Sequence, residues 1–203
     1  METPVAGVLL AAGEGRRLGS PKALVELGGV RLVDRGVTLL REGGTAPVVA
    51  VMGAAVVELL GVITVHNPDW RTGMGSSLAA GLSSVPVSAE AAVVALVDQP
   101  LVGSGSVRRL IAAYRAGARV AVAAYHGQPR NPVLLAREHW PAAIALAEGD
   151  VGARPFLRAH PDLVTLVECA DTGRPDDVDT PEDLARIVAI FAAAEPAAEP
   201  TAS

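Results

Sequence analysis

The chain has 203 residues, half of them apolar but only 3% aromatic, with a formal net charge of −5 and a pI near 5.4. That length fits one domain, expected over residues 1–193 with a disordered Ala-, Glu- and Pro-rich tail over 194–203, and with so few aromatics the core must be built from Ala, Val and Leu. Composition argues against three classes: no basic tract suggests a nucleic-acid surface, no uninterrupted apolar run reaches the roughly 18 residues of a membrane span, and the single Cys169 cannot form an internal disulfide. Without a basic region before the first apolar run, a secretory leader is not expected, and the reading is a cytoplasmic protein.

In chain order, Val5–Ala12 is an apolar run short enough for a buried parallel strand. It ends in Gly13, Gly15 and Gly19, interleaved with Arg16, Arg17 and Lys22. Apolar spacing predicts a helix over Leu32–Glu42, closed by Gly43 and Gly44. A strand is expected over Val48–Met52, a short helix over Ala54–Leu60 and a strand over Ile63–Val65. The loop Asn67–Leu78 is rich in Gly and small polar residues, and Ser76 or Ser77 is expected to open a helix to about Leu82. Trp70 within it is placed to wall a pocket.

Ala91–Val97 is the cleanest strand and runs into Asp98-Gln-Pro100. A helix over Ser106–Ala116 and a strand over Arg119–Tyr125 follow. Two β-like runs then flank Gly127–Pro132, which predicts a hairpin or mixed-sheet edge. Helical signals cover Ala142–Ala147 and Ala153–His160, and a late strand covers Leu163–Glu168. Thr180 is a good N-cap for a final helix, with Pro181 at its first position and Asp183 placed as a capping-box acid. Alternating strands and helices predict an α/β fold: a Rossmann-like three-layer α/β/α arrangement, mostly parallel, with a mixed or antiparallel portion in the second half.

The glycine segment after the first strand reads as an anion-binding loop, since ligands of open α/β sheets sit at the carboxyl ends of strands. Two familiar phosphate motifs do not match. Gly13-x-Gly15-x-x-x-Gly19 is one residue too long for G-x-G-x-x-G, and Lys22 follows Pro21 rather than the glycine of a P-loop. Asp98, at the end of an apolar strand, would face the same crevice. It reads equally as a Mg²⁺ ligand beside polyphosphate or as a turn-forming Asp before Gln99-Pro100. Asp177 and Asp179 alternate on an extended segment, so one of them at most is expected to face that crevice. The scattered histidines, 66, 126, 139 and 160, form no zinc pattern, and no G-x-S-x-G elbow is present.

These blocks carry a family resemblance. Leu10-Ala-Ala-Gly-Glu-Gly-Arg-Arg-Leu-Gly-Ser-Pro-Lys22 resembles the L-A-[AG]-G-x-S-x-R-M-G-x-x-K signature of nucleotidyltransferases that modify the molybdenum cofactor. The resemblance continues through the Asn67–Leu82 block, Asp98-Gln-Pro100, Gly127–Leu134, Gly149-Asp-Val-Gly-Ala-Arg154 and Asp177-Val-Asp-Thr-Pro-Glu-Asp-Leu184, in family order. It implies a glycosyltransferase-A-like sheet and transfer of CMP from CTP to the phosphate of molybdopterin, releasing pyrophosphate. Leu10, Ala11, Ala12, Gly13, Gly15, Gly73 and Ser77 would hold the nucleotide. Arg17 and Lys22 would hold its triphosphate, and Asp98 and Asp179 would hold Mg²⁺. With Asp98, the two cations make up the implied catalytic set, and Arg16 is a spare.

Ala12, where a GTP-using branch has glycine, makes CTP the implied nucleotide, with GTP or another NTP as alternative. A molybdenum enzyme that receives the product is an implied partner; nucleic acid and membrane are not. A carrier protein for the cofactor is a second class, disfavoured by the presence of both aspartates. Three departures stand out: Gly15 replaces a serine, Leu18 a methionine, and Arg130-Asn131 a Gly-His pair on the acceptor side. The acceptor is therefore what the resemblance fixes least.

Overall fold

The computed structural model describes residues 4–194. Seven strands form one sheet: β1 Val5–Ala11, β4 Val48–Met52, β5 Ile63–His66, β6 Ala91–Leu96, β7 Val120–Tyr125, β8 Gln128–Ala136 and β9 Val164–Glu168. A two-stranded ribbon, β2 Glu26–Leu27 and β3 Val30–Arg31, stands apart from it. The sheet order is β5-β4-β1-β6-β8-β7-β9. β1, β4, β5 and β6 pair in parallel, β7 pairs in parallel with β9, and β8 runs antiparallel to both of its neighbours. The mixed portion therefore falls in the second half, as expected.

Helices α1 Leu32–Glu42, α3 Ser104–Arg115 and α6 Pro181–Ala194 cover one face; α2 Met74–Ser83, α4 Trp140–Leu146 and α5 Arg154–Ala159 cover the other. β1 is buried along its whole length because alternate side chains enter opposite cores. Leu9 and Ala11 face α1, while Val8 and Leu10 face α2. A fully buried leucine such as Leu9, Leu78 or Leu110 contributes about 1.5–3 kcal/mol. Small residues let the layers approach closely: a Cβ on Gly36 would stand 2.6 Å from Leu9, and one on Gly81 2.6 Å from Val8. This close approach explains how a core with so few aromatics is filled. Cys169 is buried and reduced, and Trp140 donates its indole N–H to Leu135 O at 3.0 Å, so both serve packing.

Three local expectations are corrected. Residues 54–60 form no helix. Ala54 N–H donates to Ala12 O, Val62 N–H to Leu59 O, and Arg41 clamps the carbonyls of Leu60 and Gly61. A seven-residue segment containing Val56 and Val57 gains too little to form an isolated helix, and these outside partners win. α2 begins at Met74, two residues before Ser76, with Gly73 as its N-cap. The β7–β8 turn is the pair His126-Gly127, and Gln128–Pro132 belongs to β8, whose register against β7 is interrupted between Val122 and Ala124. Among the described residues no helix is long and apolar enough to cross a membrane. The expected tail lies outside the described residues, apart from its first residue, Ala194, which ends α6.

Candidate active site

β1 and β6 are adjacent parallel strands, so the loops after them open side by side at the carboxyl end of the sheet. The loop after β1 folds back on itself: Leu18 and Gly19 donate to Gly15 O, and Lys22 N–H donates to Gly13 O. Gly15 carries φ +62°, and a Cβ there would meet Ser20 O at 2.0 Å. A serine at this place would have to open the turn, so the missing hydroxyl accompanies a tighter loop. That turn sends Lys22 back across the loop toward the end of β6.

Lys22 Nζ donates to Asp98 Oδ2 and to Asp179 Oδ1, each at 2.6 Å. Asp179 is brought there because Val178 N–H bonds Asp98 O at 2.8 Å, which lays the 177–179 segment along the end of β6. Val178 is fully buried, and its neighbours point apart as the alternation requires. Asp179 turns to Lys22; Asp177 turns to Gln99, whose side-chain amide donates to it at 2.9 Å. Burial works against the Lys22 ammonium. The charge of Asp98 and the bonds to both carboxylates outweigh it and hold Lys22 above its ordinary range. The Lys22 hydrogen bond holds Asp179 below its ordinary range, whereas burial pushes Asp177 up. Arg17 adds a longer, exposed contact to Asp179 at 3.1 Å, and Arg16 pairs locally with Glu14.

Behind this cluster lies a cavity of about 200 Å³. Leu10, Ala12 and Gly13 come from β1 and its loop, Leu96, Val97 and Asp98 from β6 and its end, and Trp70, Gly73, Met74 and Ser77 from the α2 entry. Lys22 and Asp150 complete it. Ser77 is buried and accepts from Asn67 Nδ2 at 3.1 Å, so Asn67 fixes a wall of the cavity. Trp70 packs over Gly53 and Ala12, where a Cβ on Gly53 would stand 2.6 Å from the indole.

Most of the expected nucleotide residues thus meet in one place. Ala11 does not: its side chain enters the core on the α1 face, so it can contribute through its backbone alone. Gly15 shapes the loop without lining the cavity. Asp150 was assigned no role from sequence, although its block was singled out. The signal was the bracketing pair Gly149 and Gly152, both at positive φ, which present a short 3₁₀ turn to α2. A larger hollow of about 490 Å³ beside the α3 N-terminus holds Arg108 and Arg109, which are engaged by Glu42 O and by Asp171.

The donor set fits a hard divalent cation. Two carboxylates converge, and Asp98 Oδ1 is buried with no hydrogen-bond partner. Among the described residues no group of three or more His, Cys, Asp or Glu is gathered at a metal-binding distance. Two carboxylates with open positions suit a metal that completes its shell with phosphate oxygens and water.

Residues 7–164 match the model of the MobA-like NTP transferase domain. The chain belongs to this family. It is therefore a nucleotidyltransferase. Among curated relatives, this MobA-like transferase is 40% identical to nicotine blue oxidoreductase of Paenarthrobacter nicotinovorans over 198 residues, covering 91% of this chain and 96% of that one. It is 33% identical to the molybdenum cofactor guanylyltransferase of Rhodobacter capsulatus over 193 residues, covering 90% and 94%. The manganese complex of Rv0371C from Mycobacterium tuberculosis H37Rv superposes with a TM-score of 0.74 at 26% identity, covering 92% of this chain and 99% of that one.

Proposed function

We propose that the chain transfers CMP from CTP to the phosphate of a molybdopterin-type acceptor, with Mg²⁺ as cofactor. The observation that carries this reading is the Lys22–Asp98–Asp179 cluster at the mouth of a cavity walled by the β1 loop. The base would enter between Ala12, Trp70 and Ser77, with the triphosphate running toward Lys22 and Arg17. The Ala12 methyl narrows the cavity where glycine would leave room, which favours a pyrimidine over a purine.

In the reaction an acceptor phosphate oxygen forms a bond to the α-phosphorus of CTP while the bond to the β-phosphate oxygen breaks, and pyrophosphate leaves with that electron pair. A phosphate nucleophile is already an anion, so no general base is needed, in keeping with a site without histidine. Lys22 and Arg17 would hold the triphosphate in line and balance charge on the leaving group. Asp98 and Asp179 would hold Mg²⁺, which supplies further charge neutralisation when bound.

The test is pyrophosphate release from CTP, Mg²⁺ and molybdopterin, with GTP in a parallel arm. CTP-dependent release is expected. Release with GTP alone would replace CMP by GMP, as the guanylyltransferase relative suggests. A second reading follows the relative named an oxidoreductase. In that case redox turnover of nicotine blue would be seen without any NTP. The two carboxylates around Lys22 favour the first reading, because hydride transfer has no use for a divalent cation there.

A further inference from the structure

The inference rests on the assignment of Asp98 and Asp179 as cation ligands and concerns Lys22. Its ammonium lies 2.6 Å from one oxygen of each carboxylate, so those oxygens are no farther apart than twice that distance. A divalent ion taking these same two oxygens, Asp98 Oδ2 and Asp179 Oδ1, must enter the same gap. An ammonium and a divalent cation cannot share a space of that size: their repulsion in a part-buried site costs far more than either gains.

The geometry points to Lys22 as an internal counter-ion that occupies the cation position until a polyphosphate draws it out. Lys22 has the longest side chain of the three, and its rotatable stem rises from the 3₁₀ turn Lys22–Leu24, whereas Asp98 is held at the end of β6 and Asp179 by the Val178 bond to Asp98 O. Arg17, mostly exposed and in contact with Asp179, can follow it to the phosphates. Metal and nucleotide then favour each other's binding: the nucleotide removes the competitor of the metal, and by reciprocity the metal releases a cation to the nucleotide. Free metal alone binds weakly, which keeps Asp98 and Asp179 paired in the resting protein.

The experiment is Mn²⁺ titration of the full chain without nucleotide, following free Mn²⁺ by electron paramagnetic resonance. The proteins are the unaltered chain, Lys22→Met, Lys22→Gln and the double variant Lys22→Met/Asp98→Asn, each checked for folding by thermal unfolding. Lys22→Met should bind Mn²⁺ about 5- to 150-fold more tightly than the unaltered chain, the ordinary range of coupling between two sites. The double variant should lose that gain. Lys22→Gln gives the same comparison if the methionine variant does not fold. Equal affinity in the unaltered chain and the Lys22 variants overturns the proposal, as does a gain that survives Asp98→Asn. No nucleotide enters these titrations. Failure of CTP turnover would therefore leave their result intact, and turnover with equal Mn²⁺ affinity would remove the exchange without touching nucleotidyl transfer.

Discussion

At the scale of single residues, the decisive group is Lys22. Its side chain closes the gap between two aspartates 76 and 157 positions away in sequence. The sequence offered Asp98 with two meanings and the pair Asp177/Asp179 with a choice. Alternation said that only one of the pair faces the crevice, but nothing local said which. The choice is made by Lys22, a long-range partner that no window around residue 179 contains. If Asp98 holds the cation, Asp98→Ala should lower kcat by about three orders of magnitude, because several kcal/mol of charge stabilisation is lost. Circular dichroism should show the fold retained, and full activity with Mg²⁺ would refute the assignment. If Lys22 holds phosphate, Lys22→Ala should raise KM for the nucleotide about ten- to hundredfold, the worth of about 1.5–3 kcal/mol for a charge-assisted bond. A change confined to acceptor KM in steady-state kinetics would contradict that role.

At the scale of elements, the final helix was legible almost to the atom. Thr180 Oγ1 accepts from Asp183 N–H at 3.2 Å, and Asp183 Oδ2 accepts from Thr180 N–H at 3.1 Å and from Asp179 N–H at 3.3 Å. Capping is local chemistry, which is why the sequence displays it. Thr180→Ala should cost about 1 kcal/mol in urea unfolding and, since the same box anchors Asp179, should also weaken cation binding. The segment 54–60 departs from the helix expected of it because its hydrogen bonds go to partners that the fold supplies. The α2 entry was likewise hidden. A Cβ on Gly75 would stand 2.0 Å from Ala147 O, so α2 packs directly on the backbone that carries Asp150. Gly75→Ala should destabilise the chain by about 1–3 kcal/mol in denaturant melts, with nucleotide affinity falling in parallel as the cavity wall is pushed outward.

For the whole molecule, strand and helix succession predicted a three-layer fold, and β1 and β6 stand side by side at the centre with their loops open together. The order of strands is set by pairings between distant segments and was not legible. β8 was expected, but its start was not legible: Pro129 and Pro132 suggest a longer loop, whereas the turn is the pair His126-Gly127. The ion pairs of the whole fold predict its response to acid. Asp179, Asp176 and Asp183 are held low by hydrogen bonds from Lys22, Arg174 and Thr180, and Glu168 by backbone amides. A lowered carboxylate stabilises the fold above its unfolded value and loses that contribution as pH falls through its folded value. Asp177, raised by burial, acts in the opposite sense and offsets part of this. The lowered groups outnumber it, so the melting temperature should fall as pH drops below the ordinary aspartate value of 3.8, and a flat calorimetric profile there would contradict the network.

The β7–β8 turn is held in an unusual way. Glu168 accepts from the backbone amides of His126 and Gly127 at 3.1 and 3.0 Å, and from those of Cys169 and Ala170 where the chain leaves β9. None of these bonds involves a side chain of the turn. Arg130 beyond it donates to the neighbouring carbonyl of Pro129. The rim formed by Arg130-Asn131 is therefore free to change its chemistry while its shape is kept by a carboxylate outside it. If this rim meets the acceptor, its side chains can be exchanged without breaking the bonds that hold the turn.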